Sequence, residues 1–179
     1  MTTQDDLPLE SITISGGDRW TVEELTEFLG HLYVLYNRIS VLREERHQVP
    51  ARLSRQLYAS KSRVAEQQKM TVESLTIRSP MEINLRGIAE IIREARQAVK
   101  DIYRNPLERR KLEQQIEHEE KLNDVELAQS KLRLLRDANQ TMLELGIPEG
   151  ERRATLKALY APASEAADMI VEKDLEIDW

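Results

Sequence analysis

From Val22 to about residue 47, apolar residues return every three or four positions. Leu25, Phe28, Leu32, Leu35, Ile39 and Leu42 form the stripe, and Val22, Leu29 and Tyr36 widen it. A stripe this broad predicts a helix with one face buried against other elements. Its start is marked independently. Thr21 followed by Glu24 is a capping box, in which each side chain satisfies the other residue's free backbone N–H. Trp20 before the cap and Leu25 after it have the spacing of a hydrophobic staple. A chain carrying this helix must supply a second layer to cover it.

Three extended stretches can supply that layer. Ile12 and Ile14 alternate with polar residues, and Gly16-Gly17 ends the run. Val72, Leu75 and Ile77, then Met81, Ile83 and Leu85, read as extended chain on either side of Ser79-Pro80. That pair is not the Asn-Gly type of tight hairpin turn. It marks either an open turn between two strands or a kink in an edge strand. "ESITIS" at 10–15 and "ESLTIR" at 73–78 share a Glu-Ser-apolar-Thr-Ile pattern. Neither stretch adjoins a nucleophile, a ligand set or a glycine loop, and each leads toward an amphipathic helix. The prediction is two strands of one sheet, with a side-by-side pairing as one arrangement.

Gly87 precedes a helix over 88–103, whose apolar face is Ile88, Ile91, Ile92, Ala95, Val99 and Ile102. The expected fold is α+β and mostly helical. A small antiparallel sheet is built from about 9–15, 72–79 and 81–86, with 174–179 as a candidate extra edge. Helices 22–47 and 88–103 cover one face.

Asn105-Pro106 starts a further helix, with Asn105 as its cap. The pattern predicts one helix over 106–145 that projects away or folds back as a hairpin. Its first half is dominated by charge. Its second half keeps a seam of Val125, Leu132, Leu135 and Met142, with Asn139 in register and Leu122 beside it. A polar residue within such a seam can fix register and oligomeric state. Leu122, Val125, Leu132, Leu135, Asn139 and Met142 are therefore the predicted partner interface. Gly146 and Pro148 end this helix. Helices over 149–160 and 163–171 follow, separated by Ala161-Pro162, and the tail is acidic. The expected division is a head over 1–104, the long helix over 105–145, and short helices with an acidic tail over 146–179.

The net charge is −6 and the isoelectric point about 5.3, so no global attraction to nucleic acid or anionic lipid is expected. One region differs. Residues 43–69 are basic, and Arg52, Arg55, Lys61 and Arg63 with Tyr58 form the alternative reading, a nucleic-acid-binding helix over about 51–68. The same stretch can instead meet an acidic terminus of its own chain. There is no cysteine, which removes disulfides, thiolate metal sites and thiol nucleophiles. The N-terminus is acidic and polar, unlike a secretory signal, and no run reaches the roughly 20 apolar residues of a membrane span. A cytoplasmic protein without a membrane segment is expected.

Catalytic patterns are missing from the sequence. His31, His47 and His118 have no second histidine at ligand spacing. Glu113, Glu117 and Glu120 share a helix face but lack the Glu-x-x-His pairing of bundle di-metal sites, so a solvated face is expected. There is no phosphate loop and no nucleophile elbow. No catalytic, cofactor or metal residue is predicted. The expected function is a non-catalytic protein-interaction or oligomerisation module, partnered by another protein or by a second copy.

Trp20, "LYNR" at 35–38, "LTIRSPMEINLRGIAEIIREAR" at 75–96 and the charged region after it carry a resemblance. The chain resembles a bacterial family in which an Ile-x-Ser-Pro strand motif precedes an Ile/Leu-rich helix and a coiled-coil-like segment. The likeness covers roughly 12–145, with Ile77, Ser79, Pro80 and Gly87 as anchors. Met81 stands where relatives often carry glycine. The resemblance implies a bacterial, intracellular, accessory role and no particular activity.

Overall fold

The computed structural model describes residues 8–16, 20–44, 69–76, 81–118 and 121–177. The elements are β1 (Leu9–Gly16), α1 (Val22–Glu44), β2 (Thr71–Thr76), β3 (Met81–Ile88), α2 (Ala89–Arg104), α3 (Pro106–Glu117), α4 (Asp124–Gln129), α5 (Arg133–Glu144), α6 (Glu149–Glu172) and β4 (Leu175–Ile177). The fold is mostly helical α+β, with one four-stranded antiparallel sheet in the order β2-β3-β1-β4. No described helix is long and apolar enough to cross a membrane.

Alternation decides the two faces of the sheet. Ile12 pairs with Leu85, Ile14 with Ile83 on one side and Ile177 on the other. All five are buried, and α2 lies against them. α1 and α6 pack on α2 and on each other. Phe28, Leu35, Tyr36 and Ile39 meet the core from α1, and Leu156, Leu159 and Ala166 meet it from α6. The opposite face of the sheet is polar. Thr13 donates to Asn84 Oδ1 at 2.7 Å, and Asn84 Nδ2 donates to Ser74 Oγ at 2.7 Å.

The two Glu-Ser stretches share this sheet, as expected. They are not adjacent, because β3 lies between β1 and β2. Their side chains still meet across it. Ser11 Oγ donates to Glu73 Oε2 at 2.9 Å, and Arg86 of β3 donates to the other carboxylate oxygen at 3.0 Å. The edge strand expected near 174–179 is β4. The Ser79-Pro80 turn and the helix expected over 51–68 lie outside the described residues.

The capping box forms. Thr21 N–H donates to Glu24 Oε2 at 2.8 Å, and Glu24 N–H donates to Thr21 Oγ1 at 3.1 Å. Lys173, just past α6, also contacts the Glu24 carboxylate, and its ammonium sits 5.6 Å from the Trp20 ring centroid. Trp20 packs on Phe28 with the rings tilted by 53° and their centroids 5.6 Å apart. The start of α1 is thus tied to the end of α6. The Lys173 and Thr21 hydrogen bonds hold the Glu24 carboxyl down at about 2, from an ordinary 4.5. A depressed carboxyl stabilises the fold fully above its unfolded pKa and loses that contribution as pH falls through the folded one. The stability gap between the wild type and Glu24→Gln is therefore expected to shrink between about pH 4.5 and pH 2. Urea unfolding at stepped pH reads this, and a gap constant over that window would contradict it.

The span expected as one helix over 106–145 is three helices, α3, α4 and α5. Local side chains and remote carboxylates take over backbone groups at the breaks. Asn123 Oδ1 accepts from Glu126 N–H at 3.3 Å, capping α4. Ser130 Oγ accepts from Leu132 N–H at 3.1 Å, while Glu108 of α3 accepts from Ser130 Oγ at 3.0 Å and from Lys131 N–H. Asp101 of α2 accepts from Arg133 N–H at 3.2 Å, placing a carboxylate at the positive end of α5. The chain folds back, as the hairpin alternative had it, but in three pieces. Asn105 also departs from expectation. Its amide donates to Asp101 O at 2.7 Å at the end of α2, and makes no cap bond to α3.

Gly146 ends α5 as expected. It has φ of 68°, and Ile147 N–H donates to Met142 O at 2.9 Å in the glycine-cap pattern. The two helices expected over 149–160 and 163–171 are instead one. Pro162 lies inside α6 and leaves the carbonyl of Ala158 without its helical donor. Arg38 of α1 donates to that carbonyl from across the core.

Candidate interaction surface

The predicted seam points inward. Leu122, Leu132, Leu135, Asn139 and Met142 are buried within the chain itself, and only Val125 is exposed, at 68%. The breaks between α3, α4 and α5 are what turn these side chains onto α2 and α6. In their folded positions the five side chains face the chain's own interior.

Asn139 belongs to a side-chain network centred on Arg152. Arg152, 5% exposed, donates to Asp124 at 2.6 and 3.3 Å and to Asn139 Oδ1 at 3.0 Å. Asn139 Nδ2 returns a bond to Asp124 Oδ1 at 3.0 Å. The Arg152 hydrogen bonds hold the Asp124 carboxyl below its usual range despite partial burial. Three helices, α4, α5 and α6, are locked by one ion pair and one amide. A visible signal existed for this. Arg152 shares a helical face with Thr155, Leu156 and Leu159, so it sits where an apolar residue is expected.

A second network joins α3 to α6. Arg109 grips Asp168, Tyr160 donates to Glu113 at 2.5 Å, and Arg109 Nε lies 3.3 Å from the phenol oxygen. Burial and the Glu113 carboxylate push the Tyr160 phenol up to about 12, so it stays a neutral donor near pH 7. Glu117 pairs with Lys157 at 3.6 Å. Glu120 and His47 lie outside the described residues. His31 sits 3.8 Å from Glu27, and His118 ends α3. Among the described residues, no cluster of three metal-ligating side chains occurs.

Two of the clefts lined by described residues lie on the helical side. One, of about 300 Å³, lies between α3 and α4 beside Glu108, Gln115 and Glu126. Gln115 Nε2 donates to Glu126 at 2.7 Å and Glu108 is engaged by Ser130 and Lys131, while the buried Gln115 Oε1 has no hydrogen-bond partner among the described residues. The other, of about 380 Å³, is mainly apolar and lies between α1 and α6 near Gly30, Val34 and Pro162. Arg52, Arg55, Lys61 and Arg63, the alternative nucleic-acid contacts, lie outside the described residues. Arg43, at the start of the same basic stretch, is committed to Glu90 and Glu94 of α2.

The surface that the periodicity does not reveal is β2. It stands at the edge of the sheet, and among the described residues no strand pairs with its outer side. All six of its residues are exposed. The pairing with β3 skips from Val72 to Ser74, so Glu73 is an extra residue in a β-bulge. That bulge puts Val72, opposite Leu85, and Leu75, opposite Ile83, on the same face as the core. They remain 49% and 40% exposed there. Ser11 and Arg86, by their hydrogen bonds, hold the Glu73 carboxyl below its usual range, so the bulge residue is anchored as an anion. The edge is therefore held in strand geometry by side chains of β1 and β3.

No family model, curated protein or solved structure matches this chain.

Proposed function

We propose that the chain is a cytoplasmic accessory protein, a protein-interaction or oligomerisation module that meets its partner along the open edge of β2. One observation carries the reading. A preformed strand has an outer edge that no strand pairs with among the described residues, beside two exposed apolar side chains, Val72 and Leu75. Unpaired strand edges template pairing with another chain, and such recognition takes affinity from the main chain and specificity from alternate side chains. The burial of the 122–142 seam moves the expected contact away from the 106–145 region.

Capture from the native extract, with the wild type and with Val72→Lys/Leu75→Lys as parallel baits, tests this. Both positions are half-exposed, so the variant is expected to keep the wild-type circular dichroism spectrum. A protein retained by the wild type and lost from the variant is the expected result. Identical captures from the two baits would refute the reading.

A further inference from the structure

Resting on that reading, we infer that the partner of β2 is a second copy of this chain, paired antiparallel about a two-fold axis between Glu73 and Ser74. The strand reads Thr71-Val72-Glu73-Ser74-Leu75-Thr76, whose polar and apolar pattern is the same in either direction. The axis sets Val72 opposite the partner's Leu75, Thr71 opposite the partner's Thr76, and Glu73 opposite the partner's Ser74. In a regular strand, positions 72 and 75 would face opposite sides. The bulge at Glu73 brings both to the core face, and Thr71, Ser74 and Thr76 to the polar one. Every facing pair of this register then lies on a common face, as antiparallel partners must.

The charges agree with that register. Glu73 is the one charged residue of β2, and each copy already holds it against its own Arg86 at 3.0 Å. Across the axis it meets a serine, so no like charges stand directly opposite. The apolar pair repeats twice, joining both exposed patches into one stripe. The product is an eight-stranded sheet with an isologous interface. Six residues of strand bury less than the roughly 1,000 Å² of a standing complex, so the dimer forms with rising concentration rather than permanently.

The natural absence of cysteine makes a direct test available. Thr71→Cys/Thr76→Cys places two thiols about 17 Å apart along one strand, beyond the reach of a disulfide within a chain. The register brings each next to its counterpart in the other copy. Mild oxidation is expected to give a covalent dimer from the double variant and none from either single variant. Adding Leu75→Lys is expected to abolish it. Light scattering of the wild type should show the mass rising from 20.8 kDa toward twice that value with concentration. A dimer in solution without the cross-link would overturn this register while leaving the interaction reading in place. A monomer at all concentrations with fast-exchanging β2 amides would overturn the second copy as partner. A monomer whose β2 amides exchange slowly would show the edge covered by its own chain, and would overturn both.

Discussion

Asp124→Ala is expected to destabilise the fold by about 3 kcal/mol, because it strands a charge in the interior. The guanidinium of Arg152 is nearly fully buried, and Asp124 supplies two of its hydrogen bonds and the carboxylate paired with it at 2.6 Å. Without the carboxylate, Asn139 Oδ1 is the acceptor left to hydrogen-bond it. The loss belongs to the stranded cation more than to the pair. Asp124→Ala/Arg152→Met is therefore expected to be more stable than Asp124→Ala alone, since methionine fills much of the volume without charge. Urea denaturation of the three proteins measures both. A single-variant loss under about 1 kcal/mol would show that water reaches Arg152 and that the network is dispensable.

Gly87→Ala is expected to cost about 2 kcal/mol through overpacking. An added Cβ would lie 2.7 Å from Tyr36 Cε2 and 2.9 Å from its hydroxyl oxygen. Tyr36 has little freedom to yield. It is wholly buried, and its hydroxyl accepts the Ile88 N–H at 2.8 Å, where β3 passes into α2. Moving the ring breaks that bond and leaves a buried N–H unsatisfied. The position needs hydrogen for space, not for backbone conformation, because its φ is ordinary. A glycine at the end of a strand can thus mark the approach of an aromatic ring from a helix far away in sequence. Thermal unfolding within about 0.5 kcal/mol of the wild type would show that the ring shifts freely.

Signals that act between near neighbours were legible in the sequence. Thr21 and Glu24 cap α1, Gly146 caps α5, and the alternation around Ile12, Ile83 and Leu85 sorts the two faces of the sheet. Two readings failed because a remote side chain supplied what the local pattern lacked. Pro162 should have ended a helix, but Arg38 donates to the carbonyl it leaves open. The spacing of Leu122, Leu132, Leu135 and Met142 runs smoothly over 122–142, so nothing periodic marks the α4–α5 break inside it. That break depends on Glu108 and Asp101 reaching backbone N–H groups that are distant in sequence. The exposure of β2 was invisible for a related reason. Alternation tells which face of a strand is apolar, but the order of strands decides which one stands at the edge, and a bulge shifts the parity on which alternation rests.

The position of β4 has a consequence for the order of assembly. Ile14 lies between Ile83 and Ile177, so β1 is completed only by strands made long after it. During synthesis β1 waits with both edges open, first for β3 and then for β4. The contacts among α4, α5 and α6 span short stretches of chain and can close early, whereas closing the sheet carries the cost of long loops. Folding should therefore run from the helical side toward the sheet, and the β1–β4 edge should be the last part sealed.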